Sequence, residues 1–227
     1  MEFLSNADFW IGLVKIVWIN IILSGDNAVV IALAARSLPP EQQKKAIMFG
    51  SGAAVVLRIV LTVVAAKLLE LSFLQVIGGV LLLWIGYQLL SGGEDEEGEA
   101  KGTGSMVAAI RTILIADLVM SLDNVIAVAA TAQGNMVLLI LGLAISIPLV
   151  IFGSTLMIRL MERWPVIITF GAALIGWVGG ETIVNDNLLH AYTEAHPWLH
   201  YTAAAAGAIL VVAVGKYMQS RTAKASD

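Results

Sequence analysis

The chain has 227 residues, a formal net charge of −4, three histidines and no cysteine. Hydrophobic residues make up 59% of it, charged residues only 13%, and the mean hydropathy is +0.87, whereas soluble domains carry about 25% charged residues. Disulfides, thiolate metal sites and cysteine nucleophiles are excluded, a nucleic-acid partner is disfavoured by the acidic balance, and a polytopic membrane protein is expected.

Seven segments are long enough to cross a bilayer, which needs about 20 apolar residues: Phe9–Ala35, Ala46–Leu69, Phe73–Leu90, Met106–Ala132, Met136–Leu160, Pro165–Ile183 and Tyr201–Met218. The N-terminus does not read as a cleavable signal, having Glu2, Asp8 and no basic region before an over-long apolar run. Two connections are longer than the rest. Residues 91–105 form a Gly-rich acidic linker, and 184–200 carry the three histidines. With the N-terminus outside, ten of the thirteen Lys and Arg residues fall on the cytoplasmic side, Lys15 and Lys67 remain outside, and Arg58 lies within the membrane. The bias of basic residues toward the cytoplasm therefore predicts N-out, C-in.

The most informative stretch is Ser24-Gly25-Asp26-Asn27, a carboxylate and an amide within the first apolar run. Ser121-Leu122-Asp123-Asn124 repeats it at the same depth of the fourth. Asp26 to Asp123 is 97 residues, and so is Asn20 to Asp117. Weaker matches follow: Gly50 with Gly142, and Gly79 with Gly171 after a gap. Three crossings per copy is an odd number, so the second copy must be inserted upside down. The expectation is one all-α domain of seven transmembrane helices, a 3+3 inverted repeat plus one C-terminal helix: repeat one 9–90, acidic cytoplasmic linker 91–105, repeat two 106–183, extracytoplasmic loop 184–200, seventh helix 201–218.

Intramembrane charges usually face the protein interior and mark an ion path. Here the candidate ligands are the carboxylates of Asp26, Asp123 and Asp117 and the amides of Asn27, Asn124 and Asn20. An all-oxygen set suits a hard or borderline divalent cation, Mn²⁺, Mg²⁺ or Ca²⁺. Adjacent Asp and Asn on an unbroken helix point about 100° apart, so both address one ion only if the helix unwinds. Gly25 permits that in the first copy, whereas Leu122 replaces it in the second. Coupling to protons, to sodium or to nothing stays open.

Ser-Gly-Asp-Asn-Ala-Val-Val (24–30), Ser-Leu-Asp-Asn-Val-Ile-Ala-Val (121–128), the 3+3+1 layout and the acidic linker resemble the TerC family, nearest its short YjbE-like branch, over nearly the whole chain. The resemblance implies a bacterial cytoplasmic-membrane protein that exports manganese, in a superfamily shared with LysE-type exporters. Members often carry an acid six residues before each Asp-Asn. Asp117 keeps it and Asn20 departs from it, so a symmetric four-carboxylate site is not implied.

Other residues have two readings each. Arg58 either pairs with Asp26 or Asp117 and swings away when metal enters, or forms a permanent ion pair. Glu181 is either an exit ligand or an interfacial acid. Asp186, His190 and Glu194 recur every four residues, so one helical face could collect metal at the outer mouth, or the group is simply solvated. Pro148 is expected to kink the fifth span. The expected substrate is Mn²⁺, with no prosthetic group, and the expected partners are the cation and the bilayer, a homodimer being left open. The rival functions are a LysE-like exporter of small amino acids and a non-transporting accessory or metal donor for secreted proteins. No nucleophile–base set points to an enzyme.

Overall fold

The computed structural model describes residues 7–23, 25–68, 71, 73–91, 105–132 and 135–225, and the side chains of Asn20, Lys67, Asp123 and His190 lie outside the described residues. The described residues form nine helices and no strand: α1 Ala7–Leu23, α2 Gly25–Ala35, α3 Pro40–Leu68, α4 Leu74–Ser91, α5 Met106–Ala132, α6 Met136–Arg163, α7 Val166–Val184, α8 Asn187–Ala195 and α9 Trp198–Ala225. An apolar chain in lipid must satisfy its backbone within each segment, which only helices and closed barrels do. Five of these helices, α3, α4, α6, α7 and α9, contain stretches long and apolar enough to cross a membrane. The first apolar run is described as α1 and α2, on either side of Ser24, which lies outside the described residues. The fourth is one helix of 27 residues, α5, about 40 Å long.

Local chemistry sets the helix ends. Pro40 opens α3, a position where its missing N–H costs nothing. Asn135 caps α6 by accepting a hydrogen bond from the Leu138 N–H. Pro148 lies inside α6, which nevertheless continues to Arg163. The mostly buried bonds of its neighbours, from the Ser146 hydroxyl to the Leu143 carbonyl and from Ser154 to Val150, keep the surrounding turns polar-satisfied.

The helices pack in two groups. Helices α4, α7 and α9 pack most closely together, through glycines. Gly79 and Gly179 meet at the α4–α7 crossing, each against the other's backbone carbonyl, and Gly176 and Gly207 do the same between α7 and α9. A side chain at any of these positions would collide with backbone, so the small residues let the helix axes approach. The second group is α1, α2, α3, α5 and α6, where Ile16, Leu139 and Leu143 form one buried cluster and Ile113 and Ala116 belong to the main one. Two contacts in it are reciprocal. Gly50 of α3 seats Ile113 of α5, and Gly142 of α6 seats Ile16 of α1. Ile16 and Ile113 occupy matching places of the two Asp-Asn segments, as Gly50 and Gly142 do of the segments that follow.

The 184–200 connection, expected as a loop, contains α8. Its start is fixed by Asp186, which is buried and accepts a hydrogen bond from the Leu188 N–H.

Candidate functional site

Helix α3 brings Arg58, and α5 brings Asp117, into the middle of the second group. Arg58 Nε donates to Asp117 Oδ2 at 3.1 Å, and the same guanidinium donates to Asp117 Oδ1, a two-bond fork across 59 residues of sequence. The Ser121 hydroxyl, one turn further along α5, adds a third bond to Oδ2 at 3.2 Å. The side chains of Arg58 and Asp117 are only 7% and 5% exposed, and theirs is the one ion pair among the described residues. Leu57, Leu61, Leu118 and Val125 pack together on the same two helices. In such surroundings a lone guanidinium or carboxylate would be costly, and the fork is the geometry that compensates both.

Asp26 occupies the first turn of α2 and is half-buried. The Asn27 N–H donates to its Oδ1 at 2.8 Å. Asp26 also lies within electrostatic reach of Arg58 and Asp117. The structure therefore brings three of the sequence candidates, Asp26, Asp117 and Arg58, into one neighbourhood, and of the two partners open to Arg58 it pairs with Asp117. Asn27 is 2% exposed and Asn124 half-buried. Asp123 lies on unbroken α5 and Asn20 on α1, with side chains outside the described residues.

Glu181, in the last turn of α7, is exposed. Of the two readings of Asp186, His190 and Glu194, a shared metal-collecting face loses Asp186, and the His190 side chain lies outside the described residues. Asp186 precedes α8 instead of sharing its face, and its carboxylate is saturated by backbone. Oδ1 accepts from the Phe73 and Leu188 N–H groups, Oδ2 from those of Gln75 and Val76. One aspartate thus caps two helices, its own α8 and α4, more than a hundred residues away. Burial disfavours its charge, but the four N–H donors outweigh burial and hold the carboxyl below the ordinary range. Phe73 adopts φ 68°, a left-handed conformation that turns its N–H toward this carboxylate. At the opposite end of α4, the Arg36 guanidinium donates to the Leu89 carbonyl at 2.8 Å. Among the described residues no three His, Asp or Glu side chains gather as a metal-binding group.

Fold and buried charge together define a class, a multi-pass all-helical membrane protein with ionised side chains inside its bundle. Residues 5–223 match the model of the integral membrane protein TerC family, and the chain belongs to that family. It is 47% identical, over 83% of its own length and 86% of the relative's, to the uncharacterized membrane protein YjbE of Bacillus subtilis (strain 168). It is 27% identical to YkoY of the same organism, covering 82% of this chain and 61% of the relative. A similar 27% relates it to the inner membrane protein YoaE of Escherichia coli (strain K12), of which it spans 38%. No solved structure matches the chain.

Proposed function

We propose that this chain is a secondary transporter of the bacterial cytoplasmic membrane that exports a divalent metal cation, Mn²⁺ first among them, through a midplane site built around Asp26 and Asp123 and their neighbours Asn27 and Asn124. The chain crosses seven times, as a 3+3 inverted repeat plus α9, with its N-terminus outside. The reciprocal seating of Ile113 on Gly50 and of Ile16 on Gly142 supports the repeat, because two equivalent helix pairs exchanging partners is what an inverted duplication produces.

One observation carries the reading. Asp26 is an acid within an apolar bundle, and the single ion pair among the described residues commits Arg58, a cation within electrostatic reach of Asp26, to Asp117. A carboxylate at that depth is tolerated when a mobile cation compensates it. The test is Mn²⁺ efflux from loaded proteoliposomes. Asp26→Ala and Asp123→Ala should each abolish efflux while the protein still elutes as a folded particle in detergent. Undiminished efflux in either variant sinks the site, and equal export of Ca²⁺ and Mg²⁺ sinks the preference for manganese.

A further inference from the structure

The two copies are not identical in charge, and two of the residues that differ, Asp117 and Arg58, lie in contact with one another. At the offset that relates Asp26 to Asp123, Asp117 corresponds to Asn20, so the second copy has one extra acid. In the register of Gly50 and Gly142, Arg58 corresponds to Val150, so this base has no counterpart in the second copy. These two unmatched residues form the buried fork. With the Ser121 hydroxyl on Oδ2, three of the roughly four acceptor positions of the Asp117 carboxylate are taken.

From this we infer that Asp117 is not a ligand of the transported cation, and that Arg58 and Asp117 stay paired while the ion passes. Together they contribute no net charge, so the site keeps the formal −2 of Asp26 and Asp123, the complement of a divalent ion. Arg58 is thus a specificity-determining positioning residue acting through charge balance. The argument rests on the transport reading above. Two features oppose the alternative, in which an entering ion displaces the guanidinium. Arginine cannot discharge itself by losing a proton. Once released, it would stand as an unpaired cation in an apolar interior beside a second, divalent one.

The test uses four forms of the full chain in proteoliposomes, measuring Mn²⁺ concentration dependence and maximal rate: unmodified, Asp117→Asn, Arg58→Gln, and the double variant. Asp117→Asn leaves the site at −1 and should raise the KM for Mn²⁺ by about tenfold or more. Arg58→Gln leaves it at −3 and should lower KM while slowing maximal efflux, because release becomes harder. The double variant returns the site to −2, and its KM should come back to within about threefold of the unmodified protein. Where a single variant does not fold, Arg58→Met with Asp117→Leu makes the same comparison with an apolar pair of similar bulk. A double variant as impaired as Asp117→Asn, while Asp26→Ala remains inactive, overturns the inference and leaves the transport reading standing. Full efflux by Asp26→Ala overturns both.

Discussion

Asp117 and Asp186 are both almost fully buried, 5% and 1% exposed, yet they are compensated in different ways. Asp117 faces a side-chain cation on another helix, and its charge is balanced by a full opposite charge. Asp186 faces only backbone N–H groups, four of them, at the beginnings of α4 and α8. Compensation by a partner side chain makes the buried charge conditional on that partner's identity, and hence able to set the charge of a neighbouring site. Compensation by backbone is independent of side-chain identity and serves to fix where helices start. The difference separates a buried acid beside the proposed site from one that fixes the starts of α4 and α8.

The largest effect expected from breaking this contrast is at the pair. Asp117→Asn strands a buried guanidinium and should lower stability in detergent by about 3–5 kcal/mol, read from thermal unfolding. Adding Arg58→Gln should recover about 2 kcal/mol or more of that loss, because contacting residues couple. Asp186 has no such second-site rescue, since its partners are main chain. Asp186→Ala should lower stability by about 3 kcal/mol, from stranding N–H groups at two helix starts, while efflux per folded molecule stays unchanged. The sign of its pH dependence follows from the lowered folded value of the carboxyl. Its contribution is fully present above the ordinary carboxylate range and disappears as pH falls through the lowered value. The stability gap between the unmodified protein and Asp186→Ala should therefore be constant from neutral pH down to that range and close only below it. A gap that closed between neutral pH and the ordinary range would contradict the backbone-held carboxylate.

The same contrast explains which features could be read from the chain. Helical segments were legible because hydrophobic runs are a local property: Met106–Ala132 coincides with α5, Phe73–Leu90 and Pro165–Ile183 lie within one residue of α4 and α7, and the ends missed are polar, α3 starting at Pro40 instead of Ala46 and α9 running to Ala225 instead of Met218. Arg58 was recognisable as needing an acid, but choosing Asp117 over Asp26 required knowing how α3 lies on α5. The role of Asp186 was missed although half its signal is local: an aspartate directly before Asn187-Leu188-Leu189 is an N-cap pattern. Its other half, the capture of the Phe73, Gln75 and Val76 N–H groups, is long-range and leaves no trace in spacing. Reading Asp186, His190 and Glu194 as one helical face failed for that reason, since a capping residue stands outside the helix it starts.

The smallest predicted effect calibrates the scaffold side of the comparison. Asn135 is also an N-cap, at the start of α6, but it is exposed and accepts one hydrogen bond, from the Leu138 N–H at 3.1 Å. Water replaces that bond when the side chain is removed, so Asn135→Ala should cost about 1 kcal/mol, roughly a third of the loss at Asp186. Thermal unfolding of the two alanine variants side by side in the same detergent gives the ratio directly. Equal losses would mean that burial and the second helix add nothing at Asp186, and that it is an ordinary cap rather than the joint between α4 and α8.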